Sequence, residues 1–86
     1  MNVTRIENDE ATIPNDVVER MVMGGKSIIR AWREHLKLSQ KEVAGRMGVT
    51  QAAYSQMEKA PDKLRRDTLE KIAQALGVSH DQLSEL

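Results

Sequence analysis

Two helix starts separated by a single glycine constrain this chain more than any other stretch of it. Ser39-Gln40-Lys41-Glu42 has the Ser-x-x-Glu form in which the cap hydroxyl and the Glu carboxylate satisfy each other's backbone N–H groups, so a helix begins there. Val43, Ala44 and Met47 make its inward stripe. Gly48 ends it, because glycine enters the left-handed region without a Cβ penalty. Val49 can tuck beneath the corner, and Thr50 caps a second helix that runs through Gln51-Ala52-Ala53-Tyr54-Ser55-Gln56-Met57-Glu58. Ala53, Tyr54 and Met57 share one face of it. The other face carries Gln51, Ala52, Ser55 and Gln56, all uncharged, in a chain whose residues are 30% charged.

Helix, short glycine turn and helix make the helix-turn-helix form, whose second member enters the major groove of DNA. Ala44 is the small residue that lets the two helices approach closely. An amide can bond an adenine edge at two points, and Ala or Ser can meet a thymine methyl or share a bond. Gln51, Ala52, Ser55 and Gln56 are therefore the expected base-reading residues. Gln40 and Thr50 stand at helix starts, where side chains and free N–H groups are placed to bond phosphates. The bland reading of the same face, a polar surface that touches only water, would be the better one for a helix standing alone.

A net charge of zero argues against a DNA partner until it is followed along the chain. Residues 1–25 hold two basic side chains against five acidic ones, residues 26–66 ten against four, and residues 67–86 one against four. A basic middle between acidic ends suits a phosphate-facing surface on a neutral protein. Lys59, Lys63, Arg65 and Arg66 are the cations expected to follow the DNA backbone and supply salt-dependent affinity.

The run Leu38-Ser39-Gln40-Lys41-Glu42-Val43-Ala44-Gly45-Arg46-Met47-Gly48-Val49-Thr50-Gln51, with Met57-Glu58 and the later Asp67-Thr68-Leu69-Glu70-Lys71-Ile72-Ala73-Gln74-Ala75-Leu76-Gly77-Val78-Ser79, resembles the phage Cro and repressor (XRE) type of helix-turn-helix domain. Lys59-Ala60-Pro61 departs from the Asn-Gly often found at that point in the family. The resemblance implies an all-α, compact five-helix Cro/repressor-like domain over residues 26–86, and it points to the same DNA-facing positions. It also implies a homodimer on near-palindromic double-stranded DNA with half-sites about 34 Å apart. Leu83 and Leu86, at the apolar C-terminal end, are the candidate two-fold contact.

Residues 1–25 read as a flexible leader and a short helix. Met1 to Thr12 has little to bury beyond Val3, Ile6 and Ala11, so it is expected to be flexible alone or at most a short strand around Val3–Ile6. Ile13-Pro14-Asn15-Asp16 opens a helix with Val17, Val18, Met21 and Val22 on one stripe, ended by Gly24-Gly25. Two turns do not persist unsupported, so this helix packs on the following domain or on a partner. Ser27 caps the next helix, with Ile28, Ile29, Trp32 and Leu36 inward, Trp32 an anchor with its indole N–H near the surface, and Arg30, Arg33 and Lys37 outside. Tyr54 reads as core by spacing, with a hydroxyl that could reach a phosphate. Asp67-Thr68-Leu69-Glu70 starts a further helix with Leu69, Ile72, Ala73 and Leu76 inward, and Ser79-His80-Asp81-Gln82 repeats the cap.

No catalytic or metal constellation emerges, and no cofactor is expected. His35 suits a helix C-terminus and His80 a first turn, with no ligand-type partner at helical spacing. Gly25-Lys26-Ser27 lacks the earlier glycine of a phosphate loop, where Arg20 stands. The absence of Cys and of any long apolar run fits a cytoplasmic protein with no membrane partner. Ile13-Pro14-Asn15-Asp16-Val17-Val18-Glu19-Arg20-Met21 ahead of Ser27-Ile28-Ile29-Arg30-Ala31-Trp32-Arg33-Glu34-His35 is similar to small antitoxins paired with toxins of the RelE and HigB kind. That resemblance implies a small basic toxin bound by the leader, through Ile6, Ile13, Val17, Val18 and Met21, in a protein that represses its own operon. Two alternatives stand beside it: a free-standing regulator whose leader simply packs on the domain, and a helix-turn-helix used only as a protein-interaction module.

Overall fold

The computed structural model describes residues 13–84, and Ile6, Leu86 and the strand considered at Val3–Ile6 lie outside them. The described residues form six α-helices: α1 (Asn15–Val22), α2 (Ile28–His35), α3 (Gln40–Met47), α4 (Gln51–Lys59), α5 (Arg66–Leu76) and α6 (His80–Ser84), with a 3-10 turn at Pro61–Lys63. The all-α architecture expected from sequence is the one observed. None of these helices is long and apolar enough to cross a membrane.

The caps operate as the sequence required. Ser27 Oγ accepts from Arg30 N, and Ser39 and Glu42 form the reciprocal box. Thr50 Oγ1 accepts from Ala53 N at 3.1 Å, and Ser79 and Gln82 exchange bonds of 2.9 and 3.1 Å. Gly48 takes φ 73° and Gly77 φ 79°, which frees the following Val49 and Val78 amides to bond Ala44 and Ala73 carbonyls. A cap contributes about 1 kcal/mol. Each fully buried aliphatic side chain, of which Val17, Ile29, Val43 and Ile72 are four, contributes about 1.5–3 kcal/mol. Caps therefore choose where the helices start, and burial holds them together.

All six helices feed one core. Val17 comes from α1, Ile28, Ile29, Ala31 and Trp32 from α2, Val43 and Ala44 from α3, and Tyr54 from α4; Ile72, Ala73, Ala75 and Leu76 of α5 and Leu83 of α6 close it. Helix α1 packs on α2, α3 lies between α4 and α5, and α6 folds back on α5. Arg46 Nη1 donates to Ala75 O at 2.8 Å, tying the first helix of the pair to the end of α5.

Several expectations need correcting. Leu83 is only 3% exposed and belongs to this core, so it is not a free two-fold contact; α6 is too short to stand clear of α5. The Trp32 indole N–H does not sit at the surface but donates to Gln82 O at 3.2 Å, because α6 crosses over it. Arg33 turns inward onto Glu58. His35 Nδ1 meets Asp16 Oδ2 at 2.9 Å, and the ring stands edge-on to Trp32, so it bridges α2 to α1. Helix α5 starts one residue early, at Arg66, with Arg65 extended ahead of it. Lys37 closes α2 at φ 62°, a left-handed position filled without glycine.

Candidate nucleic-acid interface

Helix α4 has two unlike sides. Tyr54 is fully buried and Glu58 only 3% exposed, whereas Gln51, Ala52 and Gln56 are exposed and Ser55 half-buried. The four expected base-reading residues thus lie together on the open side of the second helix. Thr50 is exposed at its cap, and Lys59, Lys63, Arg65 and Arg66 are all exposed along the end of α4, the 3-10 turn and the start of α5. Three residues, Gly48 to Thr50, separate α3 from α4. Lys59-Ala60-Pro61 leads into a single 3-10 turn in which Pro61 occupies the first position, where its missing N–H is not needed.

Beneath this surface lies a charged node that sequence reasoning missed. Glu58 Oε2 accepts from Arg33 Nε at 2.6 Å and from the Tyr54 hydroxyl at 2.8 Å. Its Oε1 accepts from Gln40 Nε2 at 2.9 Å and from Arg33 Nη2 at 3.3 Å. Arg33 Nη1 donates to Leu38 O at 2.8 Å. Burial works against the charge on Glu58, but bonds from Arg33, Gln40 and Tyr54 outweigh it and hold the carboxyl below its usual range. Burial, and then the bond to Glu58, pushes the Tyr54 hydroxyl far up, so it stays a neutral donor. The signal was present: Glu58 is one turn beyond Tyr54 and so on the same inward face, where a carboxylate requires a cation.

Gln40, expected at a phosphate, is half-buried with one amide N–H on Glu58. Of the described residues expected to meet a toxin, Val18 is half-buried and lies outside the core cluster. Val17 has no exposed surface, and Ile13 and Met21 are partly buried against the cluster. Val17 can reach a partner only if α1 leaves its seat. The exposed apolar residues on α1 are instead Val22 and, at its cap, Met23. Glu34 gathers Lys26, Arg30 and Arg20 across α1 and α2, and bonds from Lys26 and then Arg30 push its carboxyl down to about 2. Among the described residues, no group of His, Asp and Glu is arranged to hold a metal ion.

A capped helix held by its inner face and set across a three-residue corner from its partner, with its outer amides open, defines a DNA-binding helix-turn-helix protein. The family model described as helix-turn-helix matches residues 29–83, most of the chain, and the chain belongs to that family, in its Cro/repressor (XRE) branch. It is also similar to the antitoxin HigA1 of Mycobacterium tuberculosis, in strains CDC 1551 / Oshkosh and ATCC 25618 / H37Rv, with 50% identity over 46 residues in each case. Those residues are 54% of this chain but only 31% of each relative, so the chain spans about a third of the length of the curated relatives it matches. No solved structure matches it significantly.

Proposed function

We propose that the protein is a sequence-specific repressor that acts as the antitoxin of a toxin–antitoxin pair and binds its own operator. The observation that carries the DNA half is the open side of α4, where Gln51, Ala52 and Gln56 are exposed opposite buried Tyr54 and Glu58. In this reading Gln51 and Gln56 bond base edges, Ala52 and Ser55 fill between them, and Gln40, Thr50, Lys59, Lys63, Arg65 and Arg66 hold phosphates. A homodimer presents two such helices to a near-palindrome. Likeness to the mycobacterial antitoxins supports the partner half, with a small basic toxin of the RelE or HigB kind meeting the acidic leader and α1.

One observation favours the second reading, a free-standing regulator. Helix α1 is satisfied by its own chain, through Val17 in the core and Asp16 and Arg20 paired with His35 and Glu34. Anisotropy titrations on the upstream region and on a scrambled duplex, at several salt concentrations, test the DNA half. The upstream duplex should bind tighter, and Arg65→Ala should weaken both duplexes alike while reducing the salt slope by about one. Equal affinity for the two duplexes would refute sequence-specific repression. Co-expression with the product of an adjacent small basic reading frame separates antitoxin from lone regulator, since only the former forms a stable complex.

A further inference from the structure

We infer that the end of α1 and the groove beside it form a self-complementary two-fold contact, in which Met23 of each copy of this chain seats in the groove of the other. The inference deepens the homodimer of the proposed function and rests on that reading. Among the described residues, the large hydrophobic side chains left exposed are Val22 and Met23, at 76% and 84%. Two residues before Met23, Met21 lines a groove of about 450 Å3 together with Ile28, Pro61, Asp62, Leu69 and Leu83. Leu83, no free contact itself, is thus part of the recess. An exposed apolar ridge and an apolar recess side by side are what an isologous interface requires, since each copy must present both halves. A foreign partner would need only one of them.

The chemistry of the patch suits burial against a copy of itself. Met21-Val22-Met23-Gly24-Gly25 carries no charge, so docking it strips no ion of its water. Methionine is unbranched and polarizable, and it fills irregular recesses well. The ridge is also preformed. Met23 keeps helical backbone angles at the end of α1, and its N–H donates to Glu19 O at 2.8 Å, so little chain entropy is lost on contact. Asp62 is the charged residue of the groove lining, and it is exposed, so its carboxylate can stay hydrated at the rim. The turn Pro61–Lys63 that forms this wall also carries exposed Lys63, one of the cations assigned to phosphates. The contact therefore adjoins the DNA-facing edge, where two reading helices can share one duplex.

The test is the monomer–dimer equilibrium of the full chain, followed by sedimentation over a range of concentrations. Met23 lies outside the core cluster, so Met23→Glu should keep the fold, checked by circular dichroism, while raising the dimer dissociation constant roughly tenfold or more. The parent's constant should change little with salt, because the contact is apolar. The chain has no Cys, so Met23→Cys and Asp62→Cys proteins carry one thiol each. Mixed and treated with a short bis-maleimide, they should give a mixed dimer in high yield, whereas Met23→Cys mixed with Gln56→Cys should not. A Met23→Glu protein that dimerises like the parent, or equal cross-linking at Gln56, overturns the contact. So does a Met23→Glu protein that keeps its dimer but no longer binds a co-expressed small basic protein, since the ridge would then belong to that partner. Site selection keeps this failure apart from failure of the DNA reading. Met23→Glu should still enrich a single half-site, whereas a parent that enriches no motif sinks the DNA reading and the operator-bound dimer with it.

Discussion

The inner and outer sides of α4 answer to different demands. On the inner side every polar atom of Tyr54 and Glu58 is spoken for within the chain, and these residues set where the helix lies. On the outer side Gln56 and Ala52 are exposed, and nothing in the fold dictates their identity. A helix can thus keep its position while the residues on its exposed side change. The buried and exposed sides share the same two and a half turns, and Gln40 bonds to both, to Glu58 at 2.9 Å and to Gln51 at 3.4 Å.

The sharpest way to break this division is to attack the inner side. Glu58→Ala leaves Arg33 charged and largely buried without its partner and strands the Tyr54 hydroxyl, so it should cost about 3–5 kcal/mol, read as a lower urea midpoint. The outer side should behave oppositely. Gln51→Ala and Gln56→Ala should each leave unfolding within about 0.5 kcal/mol of the parent while removing about 1–3 kcal/mol of discrimination at one base pair. Thr50→Ala lies between, since it removes a cap bond to Ala53 N and should cost about 1 kcal/mol of stability.

Two smaller effects sharpen the contrast. Glu34 is ionised with its carboxyl held near 2 rather than its usual 4.5. A carboxyl depressed in the folded state contributes stability that is fully present above about pH 5 and is lost as pH falls toward 2. Glu34→Gln should therefore flatten the fall in melting temperature across that acid range. The exposed Arg66–Glu70 pair, with side chains 75% and 52% exposed, should contribute nothing measurable when Glu70 is replaced by Gln.

How much was legible follows the same line. Caps and periodic stripes are local, so Ser39, Gly48, Thr50 and Gly77 marked the helix ends and α4 showed its two faces in the sequence. Contacts between distant segments were not legible. Arg33 read as an outer cation because its own helix gives no hint of Glu58, which approaches from α4. His35 read as a helix-end residue because Asp16 reaches it from the preceding helix. Leu83 read as a free apolar end because only the fold shows that α6 turns back over Trp32. The exposure of Gln51, Ala52 and Gln56 was the easier feature to read, since it follows from the periodic stripe of their own helix.

Selection of binding sites from random duplex DNA, run with the parent and with the Gln51→Ala, Gln56→Ala double variant, addresses the outer face of α4 most directly. The parent should enrich a short near-palindrome, and the folded double variant should lose that motif while still binding DNA in a salt-sensitive way. Enrichment of the same motif by both proteins would contradict the assignment of this face to bases.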